Sequence, residues 1–169
     1  PSAQQLSDST QSRLELYSAS WNEWQEHPLS GTGYLTFRYV LEQRRAAIPS
    51  YGAEAETWVV HNDYLQSLQE LGPLGLLALL ALAAIPHMLA YRRIATTPEP
   101  RKANCVAAAG ALAAMALHAL VDFPFHVPVT LALFGAFLGA LDAQLAPIAY
   151  PAKIALAAPT TWARALRAT

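Results

Sequence analysis

The chain has 169 residues and a mass of 18.2 kDa; 54% of the residues are hydrophobic, only 14% are charged, and the mean hydropathy is +0.23. That balance excludes a disordered chain and argues against an ordinary cytosolic domain, in which roughly 25% of residues are charged. A net charge of −1 leaves no excess of base to track phosphates, so no nucleic-acid partner is expected, and a single cysteine excludes an internal disulfide framework or a cysteine-based zinc site.

Charge is unevenly shared along the chain. Residues 1–71 carry four bases and nine acids, net −5, whereas residues 72–169 carry seven bases and three acids, net +4. This predicts an acidic, aromatic, water-exposed segment followed by membrane spans. Asp8, with Gln11 three residues on, predicts a helix start. Leu14, Tyr17, Trp21 and Trp24 then recur at helical spacing until Pro28 ends the run. Arg13, Tyr17, Ser20 and Trp24 share a face of that helix. Two readings stand: a helix packed on protein or lying on the bilayer, or Arg13 aimed at an anion beside aromatic walls.

In HPLSGTGYLTF, residues 27–37, Pro28, Gly31 and Gly33 predict a tight turn where backbone can approach another group closely. The Gly-x-Gly pair is not a dinucleotide fingerprint, since no strand precedes it and no third glycine follows at the right place. Residues 38–56 read as a polar helix and a loop, with Arg44 and Arg45 solvated. In WVVHNDYLQSLQELGPLGLL, residues 58–77, a helix with His61, Leu65, Leu68 and Gly72 on one face runs toward the first span. His61 stands about three turns above the hydrocarbon, where a histidine can take or give a proton near neutral pH. A histidine satisfied at the interface fits the same spacing. Asp63 and Glu70, seven apart, form either an acid–base pair or, as we expect, a solvated face.

Three stretches without Asp, Glu, Lys or Arg follow, at 72–90, 103–121 and 123–141, each of nineteen residues and near the ~20 that span a bilayer. The first ends at Tyr91-Arg92-Arg93. The third opens with FPFHVP, so its helix is expected from about Pro128 to Leu145. We thus expect an all-α, polytopic membrane protein fragment with about three spans, at 72–91, 103–121 and 127–146. The alternative is a helical hairpin buried in a soluble protein. Arg92, Arg93, Arg101 and Lys102 lie between the first two spans, and Lys153, Arg164 and Arg167 lie after the third. The positive-inside rule puts both in the cytoplasm and residues 1–71 outside, in the periplasm of a Gram-negative cell. Residues 147–169 are broken by Pro147, Pro151 and Pro159, and read as a cytoplasmic or interfacial tail with Tyr150 and Trp162 as anchors. From the polar start no cleaved signal peptide is expected. His118, Asp122 and His126 are each four apart, but Pro124 interrupts the helix, so no metal site is expected. Asp122 and His126 remain functional candidates as ionisable residues at a span end. His87 and Cys105 read as structural.

Taken together, these motifs resemble the bacterial O-antigen ligase and O-antigen polymerase superfamily. His61-Asn62, nine residues and then Gly72-Pro73-Leu74-Gly75 fit its histidine motif; residues 13–37 resemble its large periplasmic loop, with an arginine-bearing helix before a Pro-Leu-x-Gly-x-Gly turn; and HALVDFPFHVP, residues 118–128, is similar to the opening of its late spans. The resemblance covers residues 9–145 and implies a GT-C-like inner-membrane glycosyltransferase. Such an enzyme moves a glycan from undecaprenyl pyrophosphate to an acceptor hydroxyl on the periplasmic face, with no cofactor or metal, in lipopolysaccharide or glycoconjugate assembly. It implies His61 as the group that deprotonates or orients the acceptor. Arg13 would hold the donor pyrophosphate, with Arg38 as a second contact, and Asn62 and Tyr64 would line the substrate; Glu70, Asp122 and His126 are secondary candidates. The acceptor would be lipid A–core, a growing glycan or a protein. The family has many more spans than these three, and the chain opens on Pro1, so a C-terminal portion of the membrane domain is expected. A solute transporter is disfavoured by the apolar middles of the spans. A membrane anchor would leave Arg13 and His61 replaceable.

Overall fold

A computed structural model describes residues 3–44, 48 and 59–145, and these are all-helical or irregular. Five α-helices follow in order: α1 (Ala3–Glu26), α2 (Phe37–Gln43), α3 (Asp63–Ile94), α4 (Arg101–His118) and α5 (Pro128–Leu145), with a 3-10 turn at Pro124–His126 before α5. Arg45, Tyr150, Trp162 and the tail at 147–169 lie outside the described residues.

The outward half has its own small core. Leu16 and Ala19 of α1 meet Phe37, Val40 and Leu41 of α2, with Ile48 and Val60 closing the cluster. The i, i+3, i+4 spacing in α2 explains why seven residues suffice for a helix: one face is wholly apolar. α1 begins at Ala3, so Asp8 lies inside it rather than capping it; the apolar face at Leu16 and Ala19 fixes the helix more firmly than a cap does. Arg44 is not solvated as expected. Its Nε donates to Glu23 Oε2 at 2.7 Å and its Nη2 to Glu26 Oε1 at 2.5 Å, tying the end of α2 to α1. The two carboxylates, Glu26 first, raise the guanidinium pKa above its ordinary value. Arg44→Met strands a buried Glu23 and is expected to lower stability by about 2 kcal/mol. A thermal melt in detergent checks this, and an unshifted midpoint would return Arg44 to the solvent.

α3 is two limbs joined at Gly72, whose φ of +68° and ψ of −167° are non-helical. Asn62 caps the first limb, its Oδ1 accepting from the Leu65 N–H at 2.9 Å. Pro73 cannot donate, so the Gln69 carbonyl has no intrahelical partner; the Thr32 N–H fills it at 3.0 Å and the Gly33 N–H takes the Glu70 carbonyl at 2.8 Å. The Pro-Leu-Ser-Gly-Thr-Gly turn and the Gly-Pro break are therefore one interlocking joint. The approach is close: a Cβ on Gly31 would lie 2.4 Å from the Glu70 carbonyl oxygen, and one on Gly72 2.3 Å from that of Leu29.

α3 and α5 are each long and apolar enough to cross a membrane. α4, the stretch expected to span at 103–121, is helical from Arg101 and stops at His118; it packs on both α3 and α5. The three share a core of Ala90, Cys105, Ala108, Leu112, Phe134, Leu141 and Leu145. His87 faces the Ala109 carbonyl of α4 at 3.0 Å and its own Ala83 carbonyl at 2.7 Å, a packing role. Leu74, Leu77, Leu80 and Ile85 remain exposed along α3, unlike a hairpin buried in a soluble protein. Arg93 and Arg101 bond the carbonyls of Leu145 and Ala143, gathering cations at one end of the three helices.

Candidate functional site

The opposite end holds the ionisable groups. Here the first turn of α3 is clasped to the end of α4 and the loop that leads to α5. The Asp63 N–H donates to the Ala119 carbonyl at 2.9 Å, and the Tyr64 hydroxyl to the Ala116 carbonyl at 2.9 Å. Asp63 is 0% exposed; its Oδ2 accepts from the Phe125 N–H at 2.8 Å and its Oδ1 meets His126 Nδ1. The His126 ring stacks on Tyr34, the centroids 6.3 Å apart.

Two residues earlier, His61 makes the reverse pairing. Its Nδ1 lies 3.2 Å from Asp122 Oδ1, and its ring meets Phe123 edge-on with centroids 5.0 Å apart. The two segments are thus joined by two crossed histidine–carboxylate pairs, His61 with Asp122 and Asp63 with His126. His61 is not on the helix as expected: α3 starts at Asp63, and His61 has a φ of +61°. A side chain in that region is strained by about 1–3 kcal/mol and persists only when its surroundings hold it. They do so here. The Tyr17 hydroxyl donates to the His61 carbonyl at 2.8 Å, and Asp122 and Phe123 hold the ring.

Asp122 is shared. Its Oδ1 also accepts from the Phe123 N–H at 3.1 Å, and its Oδ2 lies 3.4 Å from His118 Nε2. Arg13 arrives from α1, its Nη1 donating to the Val121 carbonyl at 3.0 Å, one residue from Asp122. A neutral imidazole that gives its Nδ1–H to a carboxylate keeps Nε2 as a base, and the carboxylate steadies the imidazolium formed when that base takes a proton. The tautomer follows from these partners.

Burial raises the pKa of the Tyr17 hydroxyl above its ordinary value; Arg13 lowers it and Asp122 raises it further. The group therefore stays protonated and donating at neutral pH. Because the folded pKa is the higher one, the bond's contribution is full below the unfolded value and is lost as pH climbs through the folded one. Tyr17→Phe is expected to lower stability by about 1 kcal/mol at pH 7. The gap from wild type should close as pH rises beyond the ordinary tyrosine value of 10.0. Thermal unfolding of both proteins across that range checks the sign.

Of the residues singled out in the sequence, Arg13, His61, Asn62, Tyr64, Asp122 and His126 meet at this clasp, although the Asn62 side chain is engaged in capping α3. Arg38 stands exposed on α2 with its guanidinium 4.4 Å from the centre of the Tyr39 ring. Asp63 and Glu70 are not a solvated face: they are 0% and 1% exposed. Glu70 accepts from the Leu35 and Phe37 N–H groups at 2.9 and 3.2 Å and from Gln66 Nε2 at 3.0 Å, bracing the start of α2 against α3. Sequence reasoning missed Asp63 and His118 as members. The signal was there: His-Asn-Asp and Asp-Phe-Pro-Phe-His each hold one histidine and one acid at a span end.

A family model described as O-antigen ligase matches residues 2–80, the stretch that supplies Arg13, Tyr17, the glycine turn, His61 and the Gly72 joint. No curated protein and no solved structure matches the chain. Residues 2–80 are thus similar to the O-antigen ligase family, and α3 and α5 are long and apolar enough to cross a membrane.

Proposed function

We propose that the protein is part of a glycosyltransferase that moves a glycan from undecaprenyl pyrophosphate to an acceptor hydroxyl on the periplasmic face of the bacterial inner membrane. One observation carries the reading: His61, in a strained conformation, faces Asp122 at 3.2 Å while Arg13 is fixed to the neighbouring Val121 carbonyl. In the step proposed, His61 Nε2 takes the proton of the acceptor hydroxyl. The hydroxyl oxygen bonds the anomeric carbon, and the bond from that carbon to the pyrophosphate oxygen breaks. Undecaprenyl pyrophosphate leaves with the electron pair, and the proton rests on His61 beside Asp122. Arg13 lies where fixed positive charge meets the growing anion, and fixed charge at a low-dielectric membrane surface is worth far more than in water. Tyr64 would line the substrate beside His61, and Arg38 would reach the pyrophosphate from α2.

The topology proposed has α3, α4 and α5 as three spans of a GT-C-like membrane domain. Arg92, Arg93, Arg101 and Lys102 lie at the end away from His61, which supports a cytoplasmic location for them and a periplasmic one for the site. Lipid A–core, a growing glycan and a protein hydroxyl would all enter the same step.

The test is deletion of the gene and complementation with the full-length protein, reading the glycans left on undecaprenyl pyrophosphate. Long lipid-linked chains in the deletion mark a ligase, and single repeat units mark a polymerase. Unchanged pools would overturn the transferase reading.

A further inference from the structure

Residues 28–37, PLSGTGYLTF, carry no charged side chain, although they lie in the acidic half of the chain. Apart from the buried Phe37, the large side chains of the turn stand exposed: Leu29 is 84% exposed, Tyr34, one ring face of which stacks on His126, 63% and Leu35 54%. Leu35 does so at a φ of +59°, held by its N–H bond to Glu70 Oε2. Yet the turn's N–H groups at Gly31, Thr32, Gly33, Leu35 and Phe37 donate to His27, Gln69 and Glu70. These five internal bonds lower the cost of holding the turn against an apolar phase.

The level of the turn is set by α3. Tyr91, at the far end of the span, is 84% exposed and precedes Arg92 and Arg93. Counting back from it, ~30 Å of hydrocarbon at ~1.5 Å per residue takes about 20 residues, which reaches Leu71. The Leu29 carbonyl is packed on Gly72, the next residue, and Leu71 and Leu74 are exposed beside it.

We propose that the 28–37 turn is immersed in the outer leaflet of the bilayer, with Leu29 among the acyl chains and Tyr34 at the headgroup boundary. Its partner is membrane phospholipid. The surface is continuous with the exposed flank of α3, and a protruding leucine accessible on nearly all sides suits a fluid partner better than a fitted one. Tyr34 and Tyr91 then mark the two interfaces of one span. This rests on α3 crossing the membrane and is independent of the transfer chemistry.

The experiment uses the full chain in a Cys105→Ala background, reconstituted in phosphatidylethanolamine–phosphatidylglycerol vesicles. Leu29→Cys, Tyr34→Cys, Leu77→Cys and Gln11→Cys each carry an environment-sensitive NBD label. Doxyl-labelled lipid is expected to quench positions 29 and 77 several-fold more than aqueous iodide does. Position 34 should respond to lipid labelled near the headgroup, and position 11 to iodide. Iodide quenching at 29 with lipid quenching at 77 overturns the proposal while leaving the span intact. Quenching of 29 by neither agent places protein there and overturns it as well. Iodide quenching at both 29 and 77 overturns it by removing the span.

Discussion

His61→Ala is expected to lower glycan transfer by about 10²–10⁴-fold, the usual contribution of a positioned acid–base group. The protein should still reach the membrane, because the first turn of α3 stays clasped through the Asp63 and Tyr64 bonds. At matched membrane levels, cells with the variant should accumulate the lipid-linked glycan seen in the deletion. If the variant and wild type leave identical pools while the deletion differs, His61 is a packing residue and the proposed site is wrong.

Gly72→Ala is expected to be the most destabilising substitution in the described residues, costing about 3 kcal/mol or more. Two penalties coincide. The backbone at φ +68° and ψ −167° is nearly closed to any residue with a side chain, and the new Cβ would lie 2.3 Å from the Leu29 carbonyl oxygen. Neither atom has room to give, since both belong to backbone within the joint. Gly110→Ala in α4 is the control: a Cβ there meets nothing within 4 Å, and alanine should gain up to about 1 kcal/mol as the better helix former. Melting temperatures in detergent, with membrane yield, separate the two. A Gly72→Ala protein as stable as wild type would mean that the joint is not closed as described.

Much of the architecture was legible in the sequence because the spans announce themselves. Long uncharged stretches ended by Tyr91-Arg92-Arg93 or opened by Phe-Pro-Phe-His leave few alternatives, and α3 and α5 lie on two of them. Local capping rules were weaker guides: α1 begins at Ala3, so Asp8 lies inside it. Gly72 was read as one position on a helical face with His61, whereas the proline after it breaks that face and His61 precedes the helix. The crossed pairs were illegible for a different reason. Asp122 lies 61 residues from His61 and His126 63 from Asp63, and no periodicity spans such distances. Asp63 and Glu70 looked solvated because acids usually are; their burial depends on donors at Phe125, Leu35 and Phe37 that only the fold brings near. Arg44 falls in the same class, its partners lying on another helix.

The joint at Gly72 has a mechanical consequence. Because the Thr32 and Gly33 N–H groups are bonded to the last carbonyls of the upper limb, and Glu70 of that limb holds the start of α2, the upper limb and its turn form one piece above the hinge. A membrane span answers a change in bilayer thickness by altering its tilt, at a modest cost per ångström of mismatch. But α4 and α5 pack on the lower limb, and the loop between them holds Asp122 and His126 against the first turn of α3, so a change in tilt is carried through those helices to the strained set of side chains around His61.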